Sequence, residues 1–133
     1  MARRILDTSV LVGYWNHRLG GRPPGSITDR DARLWAEELI ELHEGDAIAT
    51  PVYVEFIAGA RNRHELGLFS QFLACFRVVD EGYIPGADWS LAERLARRVP
   101  RSGKPRHLAD CLIAAIAKRL RYEVRTLDKD FPK

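Results

Sequence analysis

The sequence predicts an α/β fold, a central, mainly parallel sheet of about four short strands with helices on both sides. Short apolar runs alternate along the chain with longer segments of helical period, and parallel strands need such helical crossovers between them. The opening run, Ile5-Leu6-Asp7-Thr8-Ser9-Val10-Leu11, ends an apolar entry in a carboxylate and resumes at once with a helical pattern. A buried parallel strand delivering an acid to its carboxyl end has this form, and ligands of open α/β sheets bind there. Finally, 133 residues of which 46% are hydrophobic suffice for one core, so a single domain over 1–133 is expected.

The first strand is read over Arg3 to Asp7, and Asp7, Thr8 or Ser9 can cap the helix carrying Val10, Leu11, Tyr14 and Trp15. Paired Gly and paired Pro make Gly20 to Ser26 a loop. A helix follows from Asp29 to Glu44, with Leu34, Leu39, Ile40 and His43 toward the core and Gly45 ending it. Asp46 to Thr50 is the second strand, and Pro51 suits the first turn of a helix reaching Arg61. His64 to Cys75 reads as another helix, with Leu66, Phe69, Phe72, Leu73 and Phe76 forming a stripe. Core packing explains such a stripe, and a homodimer interface is the sharper reading. Phe76 to Asp80 is the third strand, Trp89 to Val99 a helix, Leu108 to Arg121 the strongest helix, and Glu123 to Thr126 the last strand.

The net charge of +3 suits a polyanionic partner without identifying one. Cys75 and Cys111 lie far apart in apolar helical patterns and have no metal-type spacing, which points to free thiols in a reducing compartment. No apolar signal segment precedes the first strand and no run is long enough to span a bilayer, so no membrane role and a cytoplasmic location are expected.

The chemistry lies in the acids. Glu55 has Val52, Ala58 and Gly59 one turn away, and Asp110 shares its helix face with Ile113, Ala114 and Ala117. Asp128 follows the last strand as Asp7 follows the first. Each has a plain structural reading: an N-cap for Asp7, a first-turn acid for Asp110, an ion pair for Glu55 and a terminal turn for Asp128. Asp130 is a rival to Asp128. Taken together, four carboxylates at strand ends and apolar helix faces repel one another unless a cation neutralises them. An all-oxygen set, with the four histidines scattered, suits Mg²⁺ or Mn²⁺ rather than zinc. The basic, breaker-rich loop supplies Arg97, Arg98, Arg101, Lys104 and Arg106, suited to holding phosphates, although a solvated loop has the same composition.

The residues carry a resemblance. Ile5-Leu6-Asp7-Thr8-Ser9-Val10-Leu11, Val52-Tyr53-Val54-Glu55-Phe56 with Gly59-Ala60, Asp110-Cys111-Leu112-Ile113-Ala114-Ala115 and Thr126-Leu127-Asp128-Lys129-Asp130-Phe131 occur in order. The chain resembles PIN-domain nucleases, most closely the VapC toxins of bacterial VapBC toxin–antitoxin pairs. That resemblance implies a three-layer α/β/α sandwich and a metal-dependent endoribonuclease. Asp7 and Asp110 would be the main Mg²⁺ ligands, with Glu55 and Asp128 completing the catalytic pocket and Mn²⁺ as a substitute. Thr8 and Ser9 would hydrogen-bond the ligands or the attacking water. The partners implied are an RNA substrate and a VapB-like antitoxin covering the acidic groove. Other classes compete: an aspartyl phosphatase, disfavoured because Ser9 stands where its second acid belongs; a PIN module that only binds RNA or a partner; and a DNA-directed nuclease of the same chemistry.

Overall fold

A computed structural model of the chain describes residues 3–100 and 102–132. Four strands, β1 (Arg4–Leu6), β2 (Ala47–Ile48), β3 (Arg77–Val78) and β4 (Glu123–Arg125), form one sheet in the order β3-β2-β1-β4. Every pairing is parallel, with Ile5 opposite Ala47 and Val124, and Ile48 opposite Val78. The strands are shorter than the sequence pattern implied, and β1 and β2 stop within two residues of the helices that follow them. Successive strands step outward from β1 through β2 to β3, and the chain then crosses to the opposite edge for β4. The sheet therefore has its topological switch between β1 and β4, which is where a site is expected in an open parallel sheet.

Six helices surround the sheet among the described residues: α1 (Thr8–Leu19), α2 (Asp29–His43), α3 (Thr50–Ala58), α4 (Arg63–Leu73), α5 (Gly86–Ala96) and α6 (Leu108–Leu120). Helices α1, α2 and α4 pack together, α5 lies along α6, and α3 touches α1, α4 and α6. Local chemistry sets several boundaries. Thr28 caps α2 through a reciprocal bond with Asp31, in which each side chain accepts the other's backbone N–H. Asn62 caps α4 by accepting from the Glu65 N–H at 2.9 Å. A buried Asp88 carboxylate accepts two 2.9 Å bonds from Arg119 Nε and ties α5 to α6.

The inward face of α2 differs from the expected one. Ala32, Trp35, Ala36 and Leu39 are buried, whereas Leu34 is exposed. The buried set keeps the i, i+3, i+4, i+7 spacing, and Leu34, two positions from Ala32, falls on the opposite side of the helix. In α4, Phe69 and Phe72 join Trp15 of α1 and Phe56 of α3 in one ring cluster, with centroids 4.5–6.4 Å apart. Phe76 packs on Phe72 at 5.3 Å. These rings lie in the chain's own core, and Leu66 alone of the stripe is exposed. Core packing accounts for the stripe, and the argument from it to a homodimer loses its ground. Cys75 and Cys111 are free thiols.

Candidate active site

Asp7 immediately follows β1 and occupies the N-cap position of α1, yet its side chain makes no capping bond. Its backbone N–H continues the ladder by donating to Arg125 O at 2.9 Å. The side chain is 2% exposed. Oδ2 accepts from Ser9 Oγ at 2.9 Å and from Thr126 Oγ1 at 2.8 Å. Both hydroxyls reach onward: Ser9 Oγ accepts from the Leu127 N–H, and Thr126 Oγ1 from the Asp128 N–H, each at 3.0 Å. One carboxylate oxygen thus pins the segment after β4 against the end of β1. Oδ1, also buried, has no hydrogen-bond partner. A buried carboxylate oxygen left bare is costly, and the cost falls away when a cation approaches it.

Asp110 stands in the first turn of α6, whose inner side buries Ile113, Ala114 and Ala117 as the sequence implied. Its carboxyl is pushed up from 3.8 to about 6. Burial is the first cause, followed by the charges of Asp7, Asp128 and Glu55, with His107 opposing weakly. The four acids singled out from sequence are therefore electrically one group around Asp110. Their exposures differ: Asp7 is buried, Asp110 and Asp128 are half-buried, and Glu55 is exposed. Asp130 orients its rival, its N–H donating to Asp128 Oδ1 at 2.9 Å.

Lys104, Arg106, His107, Asp110, Asp128 and Asp130 line a cleft of about 50 Å³ at this end of the sheet. Lys104 is exposed at its mouth. Arg106 is held differently from a phosphate-binding side chain. Its Nε donates to Arg98 O at 2.9 Å and its Nη1 to Asp130 O, so it fastens the basic loop to the C-terminal turn. Arg97 pairs with Glu93 one turn back in α5. Arg101 lies outside the described residues. Thr8 Oγ1 is buried without a partner. Sequence reasoning passed over Thr126 as a site residue. Its only signal was a hydroxyl two places before Asp128, and its bond to Asp7 spans 119 positions.

Among the described residues no three His, Cys, Asp or Glu side chains are drawn together into a ready metal-ligand group. The donor chemistry nevertheless fits a hard divalent cation. The groups are all carboxylates, Asp7 Oδ1 is bare, and the repulsion that lifts Asp110 is what such an ion removes.

The PIN domain family model matches residues 4–133. The chain belongs to the PIN-domain family. Among curated proteins, none matches it. PIN domains are generally metal-dependent nucleases, and Asp7 and Asp128 of this one follow β1 and β4, the two strands that flank the sheet's switch point. No helix among the described residues is long and apolar enough to cross a membrane.

Proposed function

We propose that this PIN domain, one unit over the whole chain, is a cytoplasmic Mg²⁺-dependent endoribonuclease and the toxin of a VapBC-type pair. The observation that supports this most is the carboxyl of Asp110, lifted by its burial and by the charges of Asp7, Asp128 and Glu55. The toxin role and the choice of RNA rest on the resemblance of the four motifs to VapC proteins.

Asp7 and Asp110 hold the cation, and Glu55 and Asp128 complete the acidic ring, with Mn²⁺ able to replace Mg²⁺. A bound divalent ion neutralises charge on a scissile phosphate and makes a water more acidic. The chain supplies the rest. Ser9 and Thr126 lock Asp7 through Oδ2 and leave Oδ1 without a hydrogen-bond partner. Lys104 attracts the phosphate backbone to the mouth of the cleft, with Arg101 as a further contact, and Arg106 keeps the loop that carries them in place. Single-stranded or looped RNA is the natural substrate, because its bases are open to contact. Hydrolysis forms a bond from the water oxygen to phosphorus and breaks one P–O ester bond, leaving one strand end as a phosphate and the other as a hydroxyl that takes up a proton.

The test incubates purified protein with structured RNA, single-stranded RNA and single-stranded DNA in Mg²⁺, in Mn²⁺ and in EDTA, beside Asp110→Asn. RNA cleavage that needs metal and Asp110 is the expected result. Preference for DNA would leave a nuclease but remove the toxin ribonuclease. RNA binding without any cleavage would reduce the domain to a binding module. Co-expression with a VapB-like antitoxin should suppress cleavage and yield a complex on gel filtration.

A further inference from the structure

Beside the acid cleft lies a second hollow that the hydrolytic chemistry does not use. It measures about 350 Å³ and opens between α5 and the first turn of α6. Trp89 and Leu108 form its apolar walls, Cys111 is buried in it, and Arg106 and His107 stand at its rim. Arg106 and His107 also line the acid cleft, so the two cavities meet at these residues. Leu108 in the hollow and Asp110 in the cleft are two residues apart in one helical turn.

Trp89 is 47% exposed, in contrast to Trp15 at 5% and Trp35 at 1%. An indole left half open in a first helical turn costs hydration free energy that burial would recover. Its position is held firmly, since the adjacent Asp88 is locked to Arg119 across the two helices. The hollow also contains Glu93, but Arg97 covers that charge with bonds of 3.0 and 2.6 Å. What remains open is a half-exposed indole beside the exposed His107, in a hollow that shares Arg106 and His107 with the acid cleft, where Lys104 supplies the exposed cation. Proteins that grip single strands combine these same features, stacking bases on aromatic faces while cations follow the backbone.

We propose that this hollow is a nucleobase subsite, in which Trp89 stacks on a base of single-stranded RNA next to the phosphate seated among the acids. The proposal rests on the nuclease reading for its choice of ligand. Stacking is sequence-tolerant, so the subsite contributes affinity and register, and Leu108 closes its far wall.

The test uses oligouridylate and oligoadenylate with the intact protein in EDTA, where cleavage is silent. With the other two tryptophans buried, quenching of the accessible fluorescence reports Trp89. Quenching by the oligonucleotides, with Trp89→Ala weakening binding about 5- to 100-fold and Trp89→Phe within about threefold of wild type, is the expected result. An oligonucleotide lacking one base should lose the same factor against wild type and lose little more against Trp89→Ala. Thermal unfolding of both variants checks that they fold; should the alanine variant not, quenching of the wild type and its loss of affinity for the oligonucleotide lacking one base decide. Unquenched fluorescence, or equal binding by folded wild type and Trp89→Ala, overturns the subsite and leaves the hollow to a protein partner. Quenching with wild-type affinity but no cleavage in Mg²⁺ would sink the nuclease reading while the subsite stands.

Discussion

Replacing Asp110 with Asn should stabilise the metal-free protein at neutral pH while removing its cleavage activity. Burial and the charges of Asp7, Asp128 and Glu55 lift the Asp110 carboxyl from 3.8 to about 6. The native state therefore holds this proton more tightly than the unfolded chain. The resulting stability is fully present below about pH 4 and is lost as pH rises through 6. At 1.36 kcal/mol per pH unit, the full cost of charging the group at pH 7.5 is about 3 kcal/mol. Asp110 is half-buried and solvent screens part of this, leaving about 1–2 kcal/mol. Asn keeps the shape and carries no charge, so the variant should gain that amount, roughly 4–8 °C in Tm. Urea unfolding followed by tryptophan fluorescence in EDTA measures it. The gain should be present at pH 7.5 and mostly gone at pH 4. Millimolar Mg²⁺ should narrow or reverse it, because the ion stabilises the wild type alone. An Asn variant less stable than wild type at pH 7.5, or a gain equal at both pH values, would refute the repulsion argument.

Three further outcomes follow from the packing. Thr126→Val removes a bond to Asp7 Oδ2 and strands the Asp128 N–H; it should cost about 1–3 kcal/mol in urea unfolding and lower cleavage, whereas Thr126→Ser should retain most of both. Arg119→Met leaves the Asp88 carboxylate buried and unpaired, so a loss of about 3 kcal/mol is expected, with Asp88→Asn in the same background recovering part of it. Phe72→Ala opens a hole among Trp15, Phe56 and Phe69 and should cost about 3–5 kcal/mol. Sedimentation of the folded fraction should be unchanged, since that ring lies in the core; a shifted oligomeric state would restore the interface reading.

Much of this protein was legible in the chain because the relevant signals are local. Helical period, Pro and Gly breaks and apolar strand runs depend on residues within one or two turns, and they placed the elements within a few positions. The same local logic singled out Asp7 and Asp128 as acids after strands and Asp110 as an acid on an apolar face. Tertiary structure decided what periodicity cannot encode. Leu34 and Trp35 are adjacent and both apolar, and only the arc that meets α1 and α4 selected Trp35. The phenylalanine stripe pointed equally to a core or a partner until Trp15 and Phe56, distant in sequence, closed over it. Arg106, read from composition as a phosphate contact, is fastened to carbonyls 8 and 24 positions away. The contacts that shape the site, Ser9 to Leu127 and Thr126 to Asp7, span 118 and 119 positions. They exist because β1 and β4 pair as neighbours at the switch point of the sheet. The sequence by itself determined which acids the protein carries and on which elements; pairing of its first strand with its last decided that Asp7 meets the segment carrying Asp128.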